Sequence, residues 1–256
     1  MKAFIFAAGM GSRLRPLTDA VPKALVPVAG RPMLEHVILR LKAAGFTDLV
    51  INIHHFGQQI IDFLNARQQF GLNIRLSDER NQLLDTGGGI KKARPLLEEG
   101  NEPFLVHNVD VVTDVDLRAF YLHHIKHPAD ATLLVNQRVT SRYLLMDADN
   151  RLCGWTNCFT GQILPPTLSY PSADYHTAAF GGIHVLSPSL FRYMDNDERW
   201  QGAFSIIPFY VAVCREACML GYAAPADYWF DIGKPDTLGR AEAMLRSLPD
   251  ETTRLS

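Results

Sequence analysis

The chain opens on a short apolar run, Lys2 to Ala8, that breaks at once into Gly9-Met10-Gly11-Ser12-Arg13-Leu14-Arg15-Pro16. A run this short, apolar at successive positions and bounded by glycine, reads as a buried strand, and such a strand belongs in a sheet covered on both faces. Further apolar runs alternate with segments of helical period, which is the order of a mostly parallel sheet flanked by helices. Pro32 at a first helical position, Leu34, Val37, Ile38 and Leu41 at helical spacing and Gly45 as a stop predict a helix over 32–44. Strands are expected over 48–54, 73–77, 103–107, 131–136, 143–147, 178–186 and 228–232. Helices are expected over 57–69 and 205–220, with a short one opened by Ser187-Pro188 and another at the C-terminus. Residues 158–176, rich in Pro, Thr, Ser and Tyr, read as a long loop or lid.

Charge narrows the function classes. With 25 Lys+Arg against 27 Asp+Glu the formal net charge is −2, which argues against nucleic acid as a partner. No segment approaches the roughly 18 apolar residues that span a bilayer, so no membrane association is expected. The N-terminal run is too short for an export signal, and a cytoplasmic protein is the expectation. Cys153, Cys158, Cys214 and Cys218 are spaced C-x4-C and C-x3-C, unlike most structural zinc sites. Cys214 and Cys218, four apart on the expected 205–220 helix, read as reduced core residues. The adjacent pairs His54-His55 and His123-His124 suit surface or core positions better than a metal site.

Three features carry chemistry. The glycine turn after the first strand is no dinucleotide fingerprint, since Leu14 stands where the third glycine belongs, and it lacks the Gly-Lys-Ser/Thr ending of a Walker A loop. Alone it reads equally well as a plain tight turn or as a turn presenting backbone N–H groups to phosphates. Arg13, Arg15 and, in Pro22-Lys23-Ala24-Leu25, Lys23 add cations that suit a triphosphate. A second turn, Asp85-Thr86-Gly87-Gly88-Gly89, is expected to precede a short helix. Its three glycines carry an entropic penalty that close backbone approach to a ligand would explain. Asp110 follows one buried strand and Asp231 follows Tyr228-Trp229-Phe230, each at a carboxyl end where open α/β sheets place ligands, so both are candidate magnesium ligands.

Phe6-Ala7-Ala8-Gly9-Met10-Gly11-Ser12-Arg13-Leu14, followed by Pro22-Lys23, resembles the signature of the sugar-1-phosphate nucleotidyltransferases. The likeness covers nearly the whole chain. Leu84 to Ile90 resembles the family's second nucleotide loop, Asn108-Val109-Asp110 its first metal aspartate, and Trp229-Phe230-Asp231-Ile232-Gly233 its second. The resemblance implies an α/β, Rossmann-like fold of the GT-A type: a mixed, mostly parallel sheet flanked by helices, with a small sugar-binding β subregion. One domain over 1–256 is expected, with a nucleotide-binding part to about 130, a sugar-binding part over 131–204 and a C-terminal strand and helices over 205–256.

It also implies an enzyme that makes a nucleotide-diphosphate sugar and pyrophosphate from a nucleoside triphosphate and a sugar 1-phosphate, with Mg2+ as cofactor. Arg13, Lys23 and Asp110 would be catalytic, and Asp110 and Asp231 would hold the metal. Ala8, Gly9, Gly11, Ser12, Arg13, Lys23, Asp85 and Gly88 would bind the nucleotide, and Asn108 and Gly182 the sugar, with a strand bulge as the alternative reading of Gly182. The Asp-Thr-Gly-Gly-Gly segment and Gly202-Ala203-Phe204 resemble members that join UTP to N-acetylmuramate 1-phosphate in cell-wall recycling. Mannose- or heptose-1-phosphate guanylyl transfer is the alternative, and a homo-oligomer stays open. A catalytically silent nucleotide-sugar sensor and a nicotinamide-dependent oxidoreductase are the rivals from other classes.

Overall fold

The computed structural model describes residues 1–247, so 248–256 of the expected C-terminal part lie outside the described residues. The first half comprises β1 (Lys2–Phe6), β2 (Pro27–Val28), β3 (Arg31–Pro32), α1 (Met33–Ala43), β4 (Asp48–Ile53), α2 (Gly57–Ala66), β5 (Asn73–Asp78), α3 (Asp85–Leu97), β6 (Phe104–Asn108), β7 (Val111–Thr113), α4 (Leu117–Lys126) and β8 (Ala131–Asn136). The second half adds β9 (Arg142–Met146), β10 (Leu152–Asn157), β11 (Gln162–Leu164), β12 (His176–Leu186), α5 (Phe191–Asp195), α6 (Ile206–Val213), β13 (Met219–Ala223), β14 (Trp229–Asp231) and α7 (Pro235–Ser247).

The main sheet runs β11-β10-β9-β12-β6-β1-β4-β5, with β8 on the free edge of β12 and β13 beyond it. β5, β4, β1 and β6 are parallel. β12 pairs antiparallel with β6, β8 and β9. Central β1 shows why both faces must be covered. Ala3 and Ile5 enter one core with Leu34, Ile38 and Leu41 of α1, while Phe4 enters the other with Ile90, Ala93 and Leu97 of α3. A separate two-stranded ribbon pairs β7 with β14, setting Asp231 against Val111.

β12 serves two partners along one edge, β9 through His176 to Ala178 and β6 through Ile183 to Leu186. Its register with β8 shifts between Phe180 and His184, where Gly182 takes φ +74°. The bulge read as the alternative for Gly182 is therefore present.

Two expectations change. The helix expected over 205–220 ends at Val213, and Met219–Ala223 instead extends the sheet parallel to β8. Asp130 decides this: its Oδ2 accepts from Cys218 N at 2.9 Å, and its own N–H donates to Cys218 O at 2.8 Å. These long-range bonds replace the local ones a longer helix would need. Cys214 thus caps the helix and Cys218 directly precedes β13, both half-buried rather than in the core, and all four cysteines are free. Within 158–176, β11 forms a hairpin with β10, so this stretch is partly sheet rather than an open lid. No helix of the described residues is long and apolar enough to cross a membrane.

His107, His124 and His184 are buried in this core. His184 Nδ1 meets Tyr210 Oη at 3.1 Å, and His124 bridges Thr132 Oγ1 and Ser187 Oγ at 2.7 and 3.0 Å. Desolvation lowers their pKa values to about 4 for His107 and His124 and about 3 for His184. The unfolded histidines titrate near 6.5, so below that pH the unfolded chain binds more protons and stability falls as pH drops towards about 4. The free energy of urea unfolding is expected to decline over that window. His184→Gln, which keeps a polar group without titrating there, is expected to flatten the slope; an unchanged slope would remove His184 from the loss.

Candidate active site

β1, β4 and β6 end side by side, and the loops that follow them build a cavity of about 360 Å³ lined by Ala8, Gly9, Lys23, Asp85, Asn108 and Asp110 among others. The backbone beyond β1 has no ladder partner. Asn52 supplies one: its Oδ1 accepts from Ala7 N at 2.7 Å and Ala8 N at 3.2 Å. Its Nδ2 donates to Glu79 Oε1 at 2.8 Å, and Glu79 Oε2 accepts from Leu84 N at 3.1 Å. Asn52 is 2% exposed and Glu79 0%. This buried relay holds the first glycine turn and the start of α3 in one register. The sequence reading missed both residues. The available signal was a lone polar residue inside the apolar strand Leu49-Val50-Ile51-Asn52-Ile53.

The first glycine turn is shaped by packing. Gly11 takes φ +64° and caps the 3-10 turn Ser12–Leu14. A Cβ there would lie 2.8 Å from Thr18 Cγ2 and 3.0 Å from Lys23 Cβ, so only glycine lets Lys23 sit this close. Gly9 has open space at the Cβ position, and Ser12 and Arg13 are exposed on the turn. The backbone N–H of Ala8 is already donated to Asn52 rather than left bare.

The glycine triplet departs from expectation. Asp85 to Gly89 is the opening of the 13-residue helix α3, not a turn ahead of a short helix. Phe204 O accepts from Gly87 N at 2.8 Å and Gly88 N at 3.2 Å, and Ile206 N donates to Thr86 Oγ1 at 2.9 Å. Side chains at Gly87 and Gly88 would collide with Phe204 and with Gly202 O, and a Cβ at Gly89 would lie 2.9 Å from Glu79 Oε1. The close approach that demands glycine is therefore by protein. Gly88 is buried and does not line the cavity, whereas Asp85, at φ +57°, and Thr86 do.

The charged centre lies where the β7–β14 ribbon meets β6. Ile232 N donates to Asp110 O at 2.8 Å, which brings the two aspartates together. Lys23 Nζ pairs with Asp110 Oδ2, with both side chains more than four-fifths buried. Asp231 Oδ1 accepts from Gly233 N at 2.9 Å. A Cβ on Gly233 would lie 2.8 Å from Arg13 Nη2, 2.8 Å from Asp231 Oδ1 and 3.2 Å from Asp110 Oδ2. Arg13, Asp110 and Asp231, read from segments far apart in the chain, thus surround one small volume, and glycine at 233 keeps it open. Two carboxylates with an adjacent cation suit the oxygen-rich shell of a hard divalent ion only if a ligand completes it. No group of three or more His, Cys, Asp or Glu among the described residues could hold a metal by itself. Gly182 packs beside Asn108, whose Nδ2 would lie 3.0 Å from a Cβ there, so the two expected sugar contacts adjoin each other.

A family profile described as nucleotidyl transferase matches residues 2–247. A Caulobacter vibrioides protein named N-acetylmuramate alpha-1-phosphate uridylyltransferase is 32% identical over 250 residues, covering 95% of this chain and 96% of its own length. A Neisseria meningitidis protein of the same name is 51% identical over 121 residues, 47% of this chain and 52% of that protein, so the aligned part spans about half of that relative. Among solved structures, UDP-glucose pyrophosphorylase from Acinetobacter baumanii superposes with a TM-score of 0.76 at 18% identity, covering 99% of this chain and 96% of that one. At that identity the likeness is one of fold.

Asn52→Ala tests the relay. Removing the amide leaves two backbone donors and the Glu79 carboxylate short of partners, expected to cost about 1–3 kcal/mol in urea unfolding. Amide exchange at Ala7, Ala8 and Leu84 is expected to accelerate ahead of the rest of the sheet; uniform acceleration would mean that Asn52 stabilises the fold without organising the loops.

Proposed function

The chain belongs to the nucleotidyl transferase family, and from that premise we propose that it transfers a uridylyl group from UTP to N-acetylmuramate 1-phosphate, releasing pyrophosphate. The observation that carries the reading is the meeting of Arg13, Lys23, Asp110 and Asp231 beside a nucleotide-sized cavity. The end-to-end similarity to the Caulobacter relative supports the choice of substrates.

In this reaction a sugar phosphate oxygen attacks the α-phosphorus of the triphosphate and pyrophosphate leaves in line. A phosphate monoester has its second pKa near 6, so at neutral pH the nucleophile arrives mostly deprotonated and no general base is required. The imidazole on β6, His107, is buried with its pKa lowered to about 4, which suits a structural role. The obstacle is bringing anions together, and positioning with electrostatic stabilisation overcomes it.

Arg13 stands exposed on the first turn with its guanidinium towards the two aspartates, placed to meet the charge of the triphosphate and the departing pyrophosphate. Lys23, positioned by Asp110, holds phosphate oxygens during transfer. Asp110 and Asp231 would hold Mg2+, which supplies charge neutralisation to both reactants when bound. Ala8, Gly9 and Asp85 line the nucleotide side of the cavity. Gly11 and Ser12 shape the turn that carries Arg13.

Asp110→Ala is expected to lower kcat at least about 100-fold, with its melting temperature checked to show that the fold survives; near-normal turnover would remove Asp110 from the mechanism. Arg13→Ala is expected to depress kcat more than it raises the KM for the sugar phosphate, and an unchanged kcat would assign Arg13 to ground-state binding. Pyrophosphate release from UTP with N-acetylmuramate 1-phosphate is expected to exceed release from GTP with mannose 1-phosphate. The reverse preference would move the reading to guanylyl transfer, and silence with both pairs would favour a sensor.

A further inference from the structure

A second cavity opens beside Asp231. It has a volume of about 550 Å³, within the range of small-molecule sites, and shares no lining residue with the nucleotide cavity. The end of β8 and the strand β14 form its walls together with the first turns of α7. Three cations, Arg138, Lys234 and Arg240, face a single acid, Asp231. The two cavities reach the aspartate pair separately, one at Asp110 and one at Asp231; of the two expected sugar contacts, Asn108 lines the first and Gly182 lines neither.

Arg138 distinguishes this wall from an ordinary charged surface. Its guanidinium stacks on the Trp229 ring, with Cζ 3.9 Å from the centroid. Nη1 donates to Asn136 Oδ1 at 2.9 Å and Nη2 to Phe180 O at 2.7 Å, and Trp229 Nε1 is itself tied to Gly181 O at 2.9 Å. The fork is thus held in place with two of its five N–H groups used. Burial lowers the Arg138 pKa from the ordinary guanidinium value, with the Asp231 charge opposing that shift. Arg138, Lys234 and Arg240 form no ion pair among the described residues. A positioned, partly desolvated fork with no carboxylate within ion-pair distance gains much from one it can grip through two oxygens.

Resting on the reading above, we propose that this cavity receives the acceptor sugar and that Arg138, with Lys234 and Arg240, binds a carboxylate carried by that sugar. The phosphate of the acceptor meets Lys23, which holds phosphate oxygens during transfer, so this second cationic wall answers to a second anion. N-acetylmuramate carries such a group, a lactyl ether ending in a carboxylate, where N-acetylglucosamine has a hydroxyl. Arg138 is on this account a specificity determinant, selecting acidic over neutral sugar 1-phosphates.

The test compares N-acetylmuramate 1-phosphate with N-acetylglucosamine 1-phosphate, with UTP as donor, in the wild type and Arg138→Met, which keeps an unbranched stem over Trp229. The ratio of kcat/KM values is expected to favour the acidic sugar in the wild type and to fall about tenfold or more in the variant, the scale of one lost charge-assisted hydrogen bond. Lys234→Gln and Arg240→Gln, both exposed positions, are expected to lower the same ratio less, and they carry the test if Arg138→Met fails to fold. A wild type that does not prefer the acidic sugar, an unchanged ratio, or equal losses on both acceptors would overturn the proposal, the last by assigning the cations to the phosphate. Calorimetric titration of the same two sugar phosphates separates this from the reaction itself. Selective binding lost in Arg138→Met without uridylyl transfer would keep the subsite and sink the proposed reaction, and turnover without acceptor selectivity would do the reverse.

Discussion

Parallel strands that end together leave backbone groups with no ladder partner, and the way this chain satisfies them governs everything above the sheet. Asn52 accepts from Ala7 and Ala8 through one oxygen and hands its own protons to Glu79, which in turn accepts from Leu84. A buried polar group without partners is expensive, so the three loops are held to the one arrangement in which every member of the relay is paired. Gly89 belongs to the same constraint, since any side chain there would press on Glu79. The cavity is the space left between loops that this relay keeps apart.

The second level of organisation is electrostatic. The β7–β14 ribbon brings Asp231 to Asp110, and like charges at short range destabilise one another unless cations stand close. Lys23 offsets one carboxylate directly, and Arg13 reaches the same volume from the first turn. A site that must gather several phosphate charges needs such cations in place beforehand, since dipoles and charges already oriented require no reorganisation during the reaction. Around this centre the sheet changes character, parallel through β6 and antiparallel from β6 to β12, with the bulge at Gly182 near the junction.

Much of this was legible in the residue order. The parallel half was readable because β1, β4 and β6 are apolar on both faces, and their helices carry clear period and punctuation, as in Pro32 to Gly45. Arg13, Asp110 and Asp231 were readable because each adjoins a glycine turn or a strand end, and Lys23 because it lies in the same long loop as Arg13. The helix expected over 205–220 was misread because Val211, Val213, Cys214 and Ala217 keep an apolar pattern while Asp130, far away in sequence, captures Cys218. The glycine triplet was credited to a ligand because sequence records that a backbone is approached closely without recording by what, here Phe204 and Gly202.

By itself the sequence determined the fold class, the order of most elements and the charged residues that gather at the candidate site, because these follow from local periodicity and short motifs. Only the tertiary structure decided which polar groups complete one another. Asn52 and Glu79 are 27 residues apart in sequence and 2.8 Å apart in space, and Arg138 acquires its meaning from Trp229, 91 positions later by number and 3.9 Å away as a ring. Hydrogen bonds and charge pairs depend on distances of a few ångströms, and those are set by strand register and helix packing rather than by position along the chain.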